Sequence, residues 1–194
     1  MKRYQKNDEE LLALYMSGNN ACMDMLISRY KAKVFSAIYV VVNDRYIAED
    51  IFQETFLRVI HTLQKGKYEE NGKFLPWVIR IARNLSMDYF RRTKRMPMIT
   101  SSEDDDVFAN MLLDASSSEE SVIKDQSKYG LRELIKQLPA EQREVLILRH
   151  YGDLSFKEIA DVCQCSINTA LGRMRYALIN LKKMIEDKAV YLQN

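Results

Sequence analysis

The residues with the clearest chemical purpose are those expected to open a helix at Ser166. On a wheel of about 100° per residue, Ile167, Ala170, Leu171, Met174, Leu178 and Leu181 fall on one side. Thr169, Gly172, Arg173 and Tyr176 fall opposite, with Asn168 and Arg175 at the edges. Arg can reach guanine or phosphate, Asn can reach adenine, and Gly lets a backbone come close. A second cluster precedes it in the chain. Phe74, Trp77, Ile81 and Leu85 follow helical spacing, and Arg80, Arg83, Arg91, Arg92, Lys94 and Arg95 interleave with them, opposed only by Asp88. Unstacked bases lie on aromatic faces while cations track phosphates. At least one of Phe74 and Trp77 is expected to be core. The glycine-containing loop from Lys65 to Lys73 offers a pocket for an extruded base, with a plain surface turn as the simpler alternative.

Bond-making chemistry has no comparable support. His61 and His150 are isolated, and no phosphate-binding glycine loop, His-Glu-x-x-His or nucleophile elbow occurs. No catalytic residue and no cofactor is expected. Cys163 and Cys165 with His150 make a poor metal site, because Cys163 sits at a core position and a structural site normally wants four ligands. No metal is expected either.

A third signal lies on the helix expected from Asp44 to Leu63. Ala48, Phe52, Phe56, Val59, Ile60 and Leu63 form its expected buried face. Asp50, Gln53, Glu54, Arg58 and His61 lie opposite, flanked by Ile47, Ile51 and Leu57, which are expected to be partly exposed. A polar strip with apolar borders suits a protein partner. Scattered exposed aliphatics would be the plainer reading.

These clusters need helices to position them. Six Gly and three Pro in 194 residues are too few for a turn-dense β-fold. The expected class is all-α: two small helical domains joined by a flexible acidic linker, the second a helix-turn-helix domain. Helices are expected from about Asp8 to Ser17, Asn20 to Val42, Asp44 to Leu63 and Phe74 to Lys94. Others run from Lys128 to Gln137, from Pro139 to His150, from Ser155 to Cys163 and from Ser166 to about Asp187. Ser155, with Glu158 three residues on, forms a capping box, and Ser166 is a good N-cap.

The formal net charge of +2 hides an uneven distribution. Residues 1–95 carry 17 Lys/Arg against 11 Asp/Glu, residues 96–128 carry 2 against 8, and residues 129–194 carry 10 against 8. Basic flanks suit a polyanionic partner. The middle reads as a solvated tether, with a short helical turn possible around Val107 to Leu113; a groove-filling mimic of DNA is the sharper alternative. The domain assignment is 1–96, 97–127 and 128–194. No apolar run is longer than Ala37 to Val42, which is far below the ~18 residues of a membrane helix, so no membrane insertion is expected. The N-terminus has no signal-peptide core, and three cysteines fit a reducing cytoplasm.

These residues resemble a known family. The stretch Ala48 to Val59 is similar to the region 2 helix of bacterial RNA polymerase sigma factors. Phe74 to Asn84, with Asp88-Tyr89 and Arg91-Arg92, resembles their promoter-melting helix. Leu138-Pro139 with Gln142-Arg143, Ser155 with Glu158-Ile159-Ala160, and Asn168-Thr169 with Arg173 resemble region 4. Two such regions and no other domain are the layout of the extracytoplasmic-function (ECF) group. The resemblance implies that Asp50, Gln53 and Glu54 dock on the clamp helices of the polymerase β′ subunit. It implies that the loop Lys65 to Lys73, with Trp77 and Asn84, captures a flipped base of the minus-ten element while Arg80, Arg83, Arg91 and Arg92 follow phosphates. It assigns minus-thirty-five reading to Ser166, Asn168, Thr169, Gly172, Arg173, Arg175 and Tyr176, with that domain on the β flap tip. An anti-sigma factor is a possible further partner. The chain departs from the pattern at Leu171, where relatives commonly carry a basic residue, at Gly172, where they carry Ser, and at Tyr176, where Arg is frequent. A helix-turn-helix repressor would explain the second flank but leave the first unexplained.

Overall fold

The structure is a computed structural model that describes residues 6–69, 71–93, 131 and 133–191. Every regular element among the described residues is α-helical. They are α1 (Asp8–Met16), α2 (Ala21–Val42), α3 (Arg45–Gln64), α4 (Phe74–Thr93), α5 (Ala140–His150), α6 (Phe156–Cys163) and α7 (Ile167–Tyr191). Residues 133–136 are also helical. The expected linker at 97–127, the turn near Val107 to Leu113 and the helix start at Lys128 lie outside the described residues.

Local sequence explains the helix ends. Asn7 and Glu10 close a capping box on α1, and the Asp44 carboxylate accepts from the Ile47 amide at the start of α3. Ser155 and Glu158 form the expected box on α6. Each such cap satisfies an amide that the helix leaves orphaned. Asn43 ends α2 and Gln164 ends α6 in the left-handed conformation. The turn between α6 and α7 is then closed by Ser166, whose Oγ accepts from the Thr169 amide at 3.0 Å.

Helices α1 to α4 pack around α2 to form the N-terminal half, while α5 to α7 form the C-terminal half. The halves also touch each other: α2 meets α5 and α4 meets α6. The consequence for α2 is plain in its burial. All seven residues from Val34 to Val40, including Ser36, are buried. Seven consecutive residues cover nearly two turns, so this stretch is enclosed on every side.

Two expected faces turn out differently. Ile51 is 6% exposed and belongs to the core, whereas Leu57 stands in solvent as expected. Ile51 faces α4, and the groove between the two helices is lined by Ile51 together with Leu85. On α7 the buried stripe is Ala170, Ala177 and Leu181, while Ile167, Leu171 and Leu178 are exposed. Two alanines let α7 approach the neighbouring helices closely, which rotates the longer side chains outward. Leu178 and Ile185 then line an apolar groove of about 500 Å³ with Leu131, Ile135 and Leu146.

Candidate nucleic-acid interface

The loop before α4 is held by both glycines at positive φ, Gly66 at 62° and Gly72 at 72°. A side chain at either would be strained there, although the space around them is open. Between them the loop brings Tyr68 onto α4. Its ring lies 4.4 Å from that of Trp77 and meets Phe74 edge-on at 6.1 Å. Phe74 is 1% exposed and is core, while Trp77 is only half-buried. Trp77 therefore remains available to a ligand, and Phe74 supports it.

Beside this aromatic cluster is a cleft of about 370 Å³. Lys67, Tyr68, Glu69, Asn71, Lys73, Pro76, Trp77 and Arg80 line it from the N-terminal half. Lys73, Trp77 and Arg80 are thus brought together in one cleft. Tyr68 was not among the expected site residues; the signal for it was its being the lone aromatic of the loop Lys65 to Lys73. Asn84 is exposed but does not line the cleft. Arg91 lies in solvent and pairs with Asp88 at 3.3 Å. Arg92 lines a different groove, shared with Asp50, Glu54 and Arg58.

Arg83 has a separate environment. Its Nε donates to Oε1 of Glu144 on α5 at 2.6 Å, and the two side chains are 15% and 11% exposed. Burial alone would lower the basicity of this guanidinium, but the Glu144 hydrogen bond and charge outweigh it and hold the group firmly protonated.

On α3, Asp50, Gln53 and Glu54 are all exposed, and Glu54 pairs with Arg58 one turn on at 2.7 Å. Ser166, just before α7, and Asn168, Thr169, Arg175 and Tyr176 on it are exposed, while Gly172 and Arg173 are half-buried. A Cβ at Gly172 would meet no atom within 4 Å, so space above the helix backbone is clear. Burial pushes the Cys163 thiol up to about 12, which makes it an inert core group. Among the described residues no group of three or more His, Cys, Asp or Glu is arranged to hold a metal ion.

Residues 26–96 match the Sigma-70 region 2 family and residues 130–176 match Sigma-70, region 4. The chain is 28% identical to the RNA polymerase sigma-H factor of Pseudomonas aeruginosa over 186 residues, 94% of this chain and 95% of that one. It is 30% identical to the ECF RNA polymerase sigma factor BldN of Streptomyces coelicolor, over 93% of this chain and 66% of that one. The chain belongs to the ECF sigma factors. A sigma factor of this type directs promoter-dependent initiation of transcription by RNA polymerase. Its fold is shared with the Bartonella quintana sigma factor RpoE, solved with the anti-sigma factor NepR (TM-score 0.64, 18% identity, 84% of this chain and 96% of that one). CnrH, solved with the cytosolic domain of CnrY, is also similar (TM-score 0.60, 22% identity, 93% and 97%). No described helix of this sigma factor is long and apolar enough to cross a membrane.

Proposed function

We propose that this sigma factor opens promoters by stacking one non-template base of the minus-ten element in the cleft beside Trp77. The observation that carries this reading is the cleft itself. Its wall is aromatic, from Tyr68 and Trp77, and from the same half Lys67, Lys73 and Arg80 outnumber the one acid, Glu69. An aromatic wall with a cationic rim suits a base and its flanking phosphates, and trapping an extruded base offsets part of the cost of unstacking it. Arg91 and Arg92 extend the cationic track along α4, Asn84 adds a neutral hydrogen-bonding group beside it, and Arg83 joins it once released from Glu144.

The exposed strip of Asp50, Gln53 and Glu54 docks on the β′ clamp helices of core polymerase. Helix α7 reads the minus-thirty-five element in the major groove through Asn168, Thr169, Arg173 and Arg175, while Ser166, Gly172 and Tyr176 border the duplex. The region 4 half rests on the β flap. The working division is 1–96 for core binding and melting, 97–127 as tether and 128–194 for upstream recognition. The protein supplies no bond-making chemistry, needs no cofactor and works in the cytoplasm. By analogy with RpoE, whose structure holds NepR, an anti-sigma factor is a further partner.

Run-off transcription with purified core polymerase on genomic fragments tests the proposal. The expected result is initiation at discrete sites only when both proteins are present. Permanganate reactivity of the opened strand then locates the melted bases. Specific binding to duplex DNA by the chain alone, with no effect on purified core, would favour a repressor instead.

A further inference from the structure

The two halves of the chain do more than touch. Region 4 covers the part of region 2 assigned above to the minus-ten strand. Glu158, Asp161 and Val162 of α6 form the far wall of the cleft, facing the side that carries Lys73, Trp77 and Arg80. Glu144 of α5 holds Arg83 in a mostly buried ion pair. Lys33 of α2 pairs with Asp153, just beyond α5. Carboxylates from region 4 therefore stand where phosphates and a base are expected: Glu144 holds Arg83, and Glu158 and Asp161 line the cleft that Lys73 and Arg80 also line.

We infer that region 4 masks the minus-ten face of region 2 in the free protein, so that promoter-strand binding requires the halves to separate. This inference rests on the function proposed above and adds an internal competitor to it. Two features make the contact reversible. Beside the apolar packing of α2 on α5, it is held by two ion pairs, Arg83 with Glu144 and Lys33 with Asp153, for which a polyanion competes directly. It is also imperfectly satisfied: Arg143 of α5 reaches the Val40 carbonyl only at 3.4 Å, and its buried Nε finds no hydrogen-bond partner among the described residues. An orphaned buried donor disfavours the closed arrangement, and opening returns it to water. The core-docking strip on α3 and the exposed face of α7 lie outside the contact. Core polymerase and upstream DNA can therefore engage the closed protein first, and the minus-ten face is released afterwards.

The apparent affinity of a masked site falls by the fraction of molecules that are open. If about a tenth are open, full opening raises affinity about tenfold. The test uses the full chain with Cys165→Ser, Lys31→Cys and Lys157→Cys, spin-labelled on α2 and α6, and reads their separation. Binding of fluorescein-labelled short single-stranded DNA of random sequence is measured on the unlabelled protein. Two variants are compared with the parent: Glu144→Gln, which weakens the buried pair, and Asp161→Ala, an exposed position whose replacement leaves the fold intact. The expected result is a short, narrow separation in the parent, a longer and broader one in both variants, and about tenfold tighter DNA binding on opening. A parent that is already open, or variants that open without binding DNA more tightly, would overturn the inference. Run-off transcription by the parent with core polymerase reports separately on the sigma-factor function, so failure of masking and failure of that reading are told apart.

Discussion

On α4, Arg83 is bound to Glu144 and the cleft beside Arg80 is walled by Glu158 and Asp161. On α7, Asn168, Thr169, Arg175 and Tyr176 stand in solvent. Both surfaces are proposed here to meet DNA, one as an opened strand and the other as a duplex. The exposed face of α7 is mostly polar, and its aromatic, Tyr176, ends in a hydroxyl that water solvates. A face that stacks bases must be aromatic, and an exposed aromatic patch is sticky. Covering the second and leaving the first open follows from that difference. Acidic side chains suit that cover, because Glu158 and Asp161 share the cleft with Lys67, Lys73 and Arg80.

The largest effect expected from perturbing this pair of surfaces is on stability. Phe74 is 1% exposed and supports both Tyr68 and Trp77. Phe74→Ala should cost about 3–5 kcal/mol, read as a lower Tm or denaturant midpoint. Trp77→Ala at the half-buried neighbour should cost clearly less stability and lose promoter opening instead. Permanganate footprinting separates opening from closed-complex formation. If Trp77→Ala destabilises as much as Phe74→Ala, Trp77 is core and the cleft loses its assigned wall.

The open surface should respond in base-specific affinity. Arg173 is half-buried and Arg175 exposed, a distinction that the helical wheel missed. Arg173→Ala should cost about 1–3 kcal/mol on cognate upstream duplex if it contacts guanine bidentately. If Arg175 meets phosphate, Arg175→Ala should weaken all sequences alike and lower the salt slope by about one unit. Titrations of cognate and single-base-substituted duplexes at several salt concentrations check both. Unchanged affinity in both variants would remove this face of α7 from DNA.

A smaller effect is expected on the strip that belongs to neither DNA surface. Gln53→Ala with Glu54→Ala should weaken core-polymerase binding about tenfold, near 1.4 kcal/mol, with no change in fold. The same double variant should leave the separation of the two halves unchanged. Competition against labelled parent protein for core measures the first, and normal competition would displace the docking site from α3.

Much of this was legible in the sequence, because helices advertise themselves locally. The capping box at Ser155, the cap at Ser166 and the glycines around the loop each act within a few residues. What was not legible depends on distant partners. A wheel shows that α7 is amphipathic but not which edge turns in, since small Ala170 and Ala177 control its closest approach. Ile51 looks like a border residue until α4 covers it. The clearest missed signal is the apolar run at the end of α2. Read alone, Ala37 to Val42 only excludes a membrane span. A helix that is apolar all round needs cover on all sides, and the N-terminal half supplies only part of it. The missing cover is α5, and with it comes the Glu144 that occupies Arg83.

The smallest expected effect concerns the edge of the closed contact, at Lys33 and Asp153. Their side chains are 31% and 73% exposed, so solvent screens the pair and its worth is at most about 1 kcal/mol. Asp153 has φ at 56°, in the left-handed region. Asn tolerates that conformation as well as Asp does, so Asp153→Asn removes the charge and leaves the turn undisturbed. The hydrogen bond from Lys33 holds the Asp153 carboxyl below its usual range, with the charges of Lys33, His150 and Arg149 adding to the effect. A carboxyl whose pKa is depressed in the closed form favours closure fully above its ordinary value of about 4. That contribution fades as pH falls from there through the depressed value, because the open form then binds its proton first. The parent should therefore be slightly more closed than Asp153→Asn at neutral pH, and the two should converge in acid. Spin-label separations across that pH range measure the difference. A gap between parent and variant that persists undiminished in acid would mean that the Lys33 pair plays no part in holding the halves together.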